Sequence, residues 1–396
     1  MRIGIVVPTF PMGLTSSEMW LAEGLARRGH SVTVYSTGRA GARDRDRQAL
    51  GDAALGAPPN FQRRSIASIP LVYNEAAVPL RVSEVVDGGT DLCLLQEDYP
   101  PLSQAVARAA LRRHLPFVIT CERYQDLGSP GPRLLVRGLE RTVLPRMWRG
   151  SAAMTFHSRA SLEFLESLGA PRDRLRYIPS CTDCDLFQPS PSGVRTDGGD
   201  LWPGGPDRVR ILCAARLVGS KGLDVLIDAL AIVRRARPGM ACLLHGRGAG
   251  AGWIRGLVRA RGLEDVLRID ATVRPISQLP ELYRSSDLYV QPSRSEPFGM
   301  AALEAMACGS PLVASATGGL RDLVEDGENG LLVPADDAPA LARALIRMVS
   351  EPELRRRMGE RSRERARLRF SLDAVAGEYD RLLAMLGPAV EGARAN

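Results

Sequence analysis

Short apolar runs recur along the chain, separated by stretches with helical spacing. Residues 2–7 (RIGIVV) are too few for a helix and rich in β-branched side chains, which predicts a buried first strand. Residues 16–28 place Trp20, Leu21 and Leu25 on one helical face, Gly29-His30 reads as the helix end, and 31–35 (SVTVY) as the next strand. Further strands are expected at 91–95, 116–120, 152–156 and 174–178. A second series follows: strand 209–215, helix 222–236, strand 240–245, helix 250–261, strands 265–269 and 287–290, helix 299–308, strands 311–315 and 330–333. Such alternation predicts mainly parallel, doubly wound sheets that bind ligands at the carboxyl ends of their strands. The expected fold is therefore α/β, two Rossmann-like domains facing a central cleft.

Between the series, residues 188–207 (QPSPSGVRTDGGDLWPGGPD) are rich in Pro, Gly and Ser and read as a linker. This divides the chain into an acceptor-side domain 1–190 and a nucleotide-binding domain 191–370, with a C-terminal helix at about 371–390 able to return to the first. A total of 396 residues suits two cores rather than one. Residues 39–60 have no apolar period and read as a surface loop, and the tail 352–386 as charged helix. No apolar run is long enough to span a membrane, and the N-terminal strand lacks a signal-type cleavage site, so a cytoplasmic location is expected.

Charge narrows the function classes. Residues 1–190 carry 23 basic and 19 acidic groups and the remainder 29 and 26, so neither half offers a nucleic-acid face. Seven Cys at irregular spacing read as reduced thiols. The informative detail lies within the basic residues: of 52, only Lys221 is lysine. In a chain that uses Arg wherever a charge merely solvates the surface, one retained lysine marks a position that calls for an ammonium.

Lys221 sits in ILCAARLVGSKG (211–222), a strand, then a loop carrying Arg216 and Lys221, then a helix. Basic groups at a strand's carboxyl end beside a helix N-terminus suit phosphate, with Arg binding it bidentately and Lys as a point charge. Residues 291–334 repeat the arrangement with acids: a loop carrying Glu296, a helix from Gly299, and Glu304 inside it. Carboxylates accept hydroxyl hydrogen bonds, as sugars and ribose require. Gly299 lets the N–H groups of Phe298, Gly299 and Met300 approach a ligand closely.

In these motifs residues 209–370 resemble the donor domain of family 4 retaining glycosyltransferases, which have the GT-B fold. The match comprises Arg216-x4-Lys221-Gly, ACGSPL at 307–312, Gly318-Gly319, and Glu-x7-Glu as Glu296 to Glu304. The resemblance implies that Arg216 and Lys221 hold a diphosphate, Glu296 meets the donor sugar and Glu304 the ribose. Arg274 resembles the base-contacting position of members that use UDP-sugars. It further implies a nucleotide-diphosphate sugar as co-substrate, UDP favoured, and no metal, since Arg216, Lys221 and helix dipoles can stabilise the leaving diphosphate. A hexose or amino-hexose would pass to a hydroxyl of a small molecule or glycan.

The N-terminal half resembles the family more loosely. Where members carry a Gly-Gly loop toward the donor phosphate, this chain has Met12-Gly13, leaving Gly13 as the donor contact. Where many place a His after the strand, FVITCERY (117–124) has Cys121-Glu122. Glu122, Glu97 and Asp98, with Asp126 nearby, form an acidic group suited to a hydroxyl-rich or cationic acceptor such as an aminocyclitol. Other signals read as structural: Cys181-x-x-Cys184 lacks a second ligand pair, Asp44-x-Asp46 and Asp183-x-Asp185 lack a metal-site context, and the Arg series from 133 to 149 is a solvated helix face rather than a peripheral membrane contact. A nucleotide-sugar 2-epimerase-like isomerase and a non-catalytic nucleotide-sugar-binding protein are the competing functions on the same architecture.

Overall fold

The structure is a computed structural model that describes residues 1–7, 17–37, 59–70, 77–123, 137–192 and 194–395. Two compact units emerge, one of Met1–Cys181 with Leu372–Asn396, the other Thr182–Ser371. Strands of the first unit are β1 (Arg2–Val7), β2 (Ser31–Thr37), β3 (Phe61–Ile66), a short antiparallel pair β4 (Ser68–Pro70) and β5 (Ala77–Pro79), β6 (Leu92–Gln96), β7 (Phe117–Cys121), β8 (Ala153–Phe156) and β9 (Leu175–Tyr177). Seven form a parallel sheet in the order β3-β2-β1-β6-β7-β8-β9. The periodicity did not show β3, because Phe61-Gln62-Arg63-Arg64-Ser65-Ile66 has only one fully buried side chain, as an edge strand permits.

The second unit contains β10 (Val209–Ala214), β11 (Met240–His245), β12 (Leu267–Asp270), β13 (Leu288–Gln291), β14 (Leu312–Ser315) and β15 (Gly330–Val333). They form one parallel sheet in the order β12-β11-β10-β13-β14-β15, the doubly wound order that reverses direction between β10 and β13. Helices cover both faces, so these strands are nearly continuous apolar runs, with Ile211, Leu244, Leu288 and Val313 wholly buried. Each strand starts and ends within two residues of its sequence expectation.

Two expectations change. Residues 188–207 are not a loose linker but belong, with the residues from Thr182 onward, to the second unit. Thr182 N–H donates to Phe370 O at 3.0 Å, and the Phe187 ring lies 5.9 Å from that of Tyr283. Trp202 donates its indole N–H to Ser285 Oγ at 3.1 Å, with the Arg210 guanidinium 5.4 Å from its ring. Burial of two large aromatics outweighs the Pro/Gly composition, and the boundary read at 190 falls at 181. The helical tail divides into two helices, in keeping with the return helix expected at about 371–390. One ends at Arg369, and after Phe370-Ser371 the chain returns to the first unit as Leu372–Ala395.

That return helix packs on α1 (Ser17–Arg27) at a glycine contact. A Cβ on Gly24 would lie 2.9 Å from Ala376 Cβ and 2.9 Å from Leu372 Cδ2. Asp380 then pairs with Arg28 and, at 2.7 Å, with His30 Nε2. Gly24→Leu is expected to overpack this contact at a cost of about 1–3 kcal/mol and to lower the melting temperature by several degrees. A thermal melt unchanged from wild type would show that the return helix does not depend on it.

Candidate functional site

The reversal between β10 and β13 leaves a crevice at their carboxyl ends, because the following segments depart to opposite sides. Lys221 ends the turn after β10 and Glu296 lies in the loop after β13, and the two meet: Lys221 Nζ is 2.7 Å from Glu296 Oε2. Their side chains are only 11% and 8% exposed. Glu296 Oε2 also accepts from Gln291 Nε2 at 2.6 Å and Ser293 Oγ at 3.0 Å. Tyr289 fixes Gln291 in turn, its hydroxyl donating to Gln291 Oε1 at 2.6 Å. The three bonds to Glu296 converge on one carboxylate oxygen, and Oε1 takes none among the described residues.

Glycines make the approach possible. Gly222, at φ 60°, would place a Cβ 2.0 Å from Pro292 O, and Ser220 O accepts from both Arg294 N–H (2.9 Å) and Ser295 N–H (3.2 Å). Arg294 clamps the same junction through two 2.8 Å bonds to Asp224. On the far side, Gly319 N–H donates to Glu296 O at 3.1 Å, and a Cβ there would lie 2.4 Å from Phe298 Cα. A third strap was not read as such from the sequence: in the Gly-rich loop after β11, Leu217 N–H donates to Arg247 O (2.7 Å) and Gly250 N–H to Leu217 O (2.9 Å).

Around this pair the other candidates divide. Arg216 is exposed, and its guanidinium makes no hydrogen bond or ion pair among the described residues. Gly299 (φ 104°) precedes α2 (Met300–Ala307), whose first N–H groups have no intrahelical acceptor. Phe298 packs its ring 5.9 Å from Phe370, so only its backbone is available to a ligand. Glu304 lies buried within α2 and accepts from the Tyr283 hydroxyl at 2.6 Å. Arg274 pairs with Asp270 and lies 3.1 Å from His245 Nδ1, itself 3.0 Å from Asp270 Oδ2. Burial pulls the His245 imidazolium below the ordinary histidine value, and Arg274 reinforces this against the pull of Asp270. Gly13, with Met12 and Asp126, lies outside the described residues.

In the first unit the acids lie at the carboxyl ends of β6 and β7, but they are not equivalent. Asp98 accepts from Trp148 Nε1 at 2.9 Å and lies 3.7 Å from Arg123, so it serves the interior. Glu97, at φ 63°, takes the Glu122 N–H on Oε1 at 3.2 Å, while its buried Oε2 has no hydrogen-bond partner among the described residues. Burial, then Glu122 and Asp98, raise its pKa well above the usual carboxylate value. Glu122 faces His157, with Nε2 3.5 Å from Oε1, and the Ser17 hydroxyl 3.4 Å from the same oxygen.

His157 escaped the sequence reading, which looked for a histidine only after β7. Cys121 pairs with Phe156 across β7 and β8, so Glu122 and His157, one position beyond each, emerge side by side. His157 Nδ1 donates to Ile178 O at 2.7 Å, which leaves Nε2 as the titrating nitrogen facing Glu122. Burial lowers the His157 pKa, but the Glu122 bond and charge outweigh it and leave it raised. Burial opposes ionisation of Glu122, yet His157 and Ser17 hold its pKa below the usual value.

The pair therefore stabilises the fold while Glu122 is ionised and His157 charged. Its contribution should be lost as pH rises through the raised pKa of His157, and lost again as pH falls through the lowered pKa of Glu122. His157→Gln should flatten the alkaline limb of melting temperature against pH. An alkaline limb equal to wild type would contradict the pairing.

Comparison with known proteins bears on the family and the fold. Residues 205–365 match the family model for glycosyl transferases group 1, and residues 13–181 that for the glycosyl transferase 4-like domain. The chain is 35% identical over 235 residues to a D-inositol 3-phosphate glycosyltransferase of Corynebacterium jeikeium, covering 57% of this chain and 55% of that one. It is 30% identical over 226 residues to a GDP-mannose-dependent alpha-(1-6)-phosphatidylinositol monomannoside mannosyltransferase of Mycolicibacterium smegmatis, with 55% and 58% covered. Thus the chain spans little more than half the length of the curated relatives it matches. Among solved structures, a sucrose-phosphate synthase from Thermosynechococcus elongatus superposes with a TM-score of 0.77 at 26% identity over 98% of this chain and 99% of that one. The chain belongs to the family 4 glycosyltransferases, of GT-B fold.

Proposed function

We propose that the protein transfers a hexose or amino-hexose from a nucleotide-diphosphate sugar to an acceptor hydroxyl, with retention of anomeric configuration. The observation that carries this reading is the 2.7 Å Lys221–Glu296 contact at the point where the second sheet reverses, beside an unengaged Arg216. Arg216 and Lys221 would hold the diphosphate, joined by the free N–H groups of Gly299 and Met300 and the dipole of α2. Glu296 Oε1 would accept hydroxyls of the donor sugar. Glu304 would take the ribose, with Tyr283 orienting its carboxylate.

In the chemical step the bond between the anomeric carbon and the β-phosphate oxygen breaks. The acceptor oxygen bonds to that carbon on the same face, and the acceptor proton passes to the departing phosphate. The protein's part is to stabilise charge on the leaving diphosphate with Arg216, Lys221 and helix N–H groups, a task we propose needs no metal.

For the base we favour uridine, from Arg274. One relative is named as GDP-mannose-dependent, so GDP-sugars are the informative comparison. For the acceptor we favour a cyclitol or glycan hydroxyl. Support comes from relatives named for D-inositol 3-phosphate, and from Glu122 and Glu97 as hydroxyl acceptors. Arg123 and His157 already balance part of the local acidity, so a neutral cyclitol fits as readily as an aminocyclitol.

Lys221→Ala and Glu296→Ala should each lower turnover at least about 100-fold, the scale of one oriented stabiliser, in an assay that follows nucleoside diphosphate release on acceptor addition. Near-normal turnover in either variant would overturn the assignment. Consumption of the sugar nucleotide with neither acceptor nor nucleotide release would favour the isomerase, and binding without turnover the non-catalytic reading.

A further inference from the structure

At the opposite, amino-terminal edge of the second sheet lies an open recess of about 820 Å³, below the starts of β13 and β14 and along the charged helix Pro352–Arg369. Two glycines let the helix close one wall. A Cβ on Gly359 would lie 2.4 Å from Gly309 O, and one on Gly309 3.2 Å from Pro189 Cγ. The recess is lined by six arginines and three carboxylates. Asp287 and Glu360 are taken by Arg195 and Arg356, and Glu364 by Arg361.

Among the described residues this leaves Arg284, Arg355, Arg363 and Arg367 without a carboxylate at ion-pair distance, although the charge of Asp287 reaches Arg355. Arg363 donates through Nη1 to Phe187 O (2.8 Å) and Ala307 O (2.7 Å), which fixes its plane and leaves Nε and Nη2. Arg355 does likewise with Met348 O (2.6 Å) and Val349 O (2.9 Å), and Arg284 donates Nε to Gln188 O at 2.6 Å. These three are half-buried, while Arg367 is exposed and makes no hydrogen bond or ion pair among the described residues. Carbonyls orient the guanidiniums but do not neutralise them. Desolvation lowers the pKa of Arg355 and Arg363; the charge of Asp287 opposes this at Arg355 and Cys184 opposes it at Arg363, while Arg195 and Arg367 add repulsion.

We propose that this recess is a second anion site, separate from the donor crevice, that binds a phosphate ester or diphosphate of a small metabolite. Forked guanidiniums with fixed planes and unspent N–H donors match phosphate oxygens, which accept several charge-assisted bonds at once. The recess has room for an organic body beside the phosphate, and Tyr283 and Pro311 give that body apolar wall. Tyr283 also donates to Glu304, so one residue touches both the recess and the proposed ribose carboxylate.

The test is calorimetric titration of the full chain with inorganic pyrophosphate in wild type, in Arg216→Ala, and in Arg216→Ala with Arg367→Glu added. Both replaced residues are exposed and make no bond that holds the fold, so the melting temperature without ligand should not move. Binding should persist in Arg216→Ala and weaken at least about tenfold when Arg367→Glu is added, the scale of a lost charge-assisted bond. Binding abolished in Arg216→Ala alone, or, in the Arg216→Ala background that weakens the donor crevice, unchanged when Arg367→Glu is added, would overturn the proposal. So would sedimentation with phosphatidylglycerol vesicles that Arg367→Glu abolishes, in a chain that ignores pyrophosphate, since the patch would then serve a lipid surface.

Discussion

An ion pair out of water is the constraint on which the second unit is arranged. Lys221 and Glu296 are almost fully buried and 2.7 Å apart, and desolvating two charges costs several kcal/mol per ion before attraction repays it. A pair in that position is weak evidence of stabilisation for its own sake. It persists because the surrounding backbone leaves no alternative: Gly222 against Pro292 O, Ser220 O shared by Arg294 and Ser295, and Gly319 beneath Phe298. Tyr289, Gln291 and Ser293 complete the cage on Glu296 Oε2. The sheet's reversal supplies the place, the glycines supply the approach, and the side chains supply the charge.

Much of this was legible in the sequence because each part has a local signature. The strands of the second unit are uninterrupted apolar runs, and Lys221 stands out as the single lysine among 52 basic residues. The Glu-x7-Glu spacing places Glu296 in a loop and Glu304 in a helix, as the structure has them.

What was not legible depended on pairing between distant segments. His157 stands 35 residues from Glu122 and becomes its neighbour only through the β7–β8 register. Strand β3 has no apolar run, since an edge strand can be built from Gln62, Arg63 and Arg64. The Pro/Gly-rich stretch that reads as a linker is held by Trp202 within it and Phe187 just before it, whose partners Ser285 and Tyr283 lie some eighty to a hundred residues on. The arginine recess gathers Arg284 and three residues of one helix, a set that looks in sequence like ordinary solvated charge.

The uniqueness of Lys221 offers the most direct measurement. Protein grown with lysine labelled at the ζ-nitrogen carries one ammonium reporter, and it sits in the proposed donor site. Titration with UDP, and in parallel with GDP, should move that single resonance in a saturable manner that follows calorimetric binding. A nucleoside diphosphate that binds the chain while the Lys221 signal stays still would contradict the account.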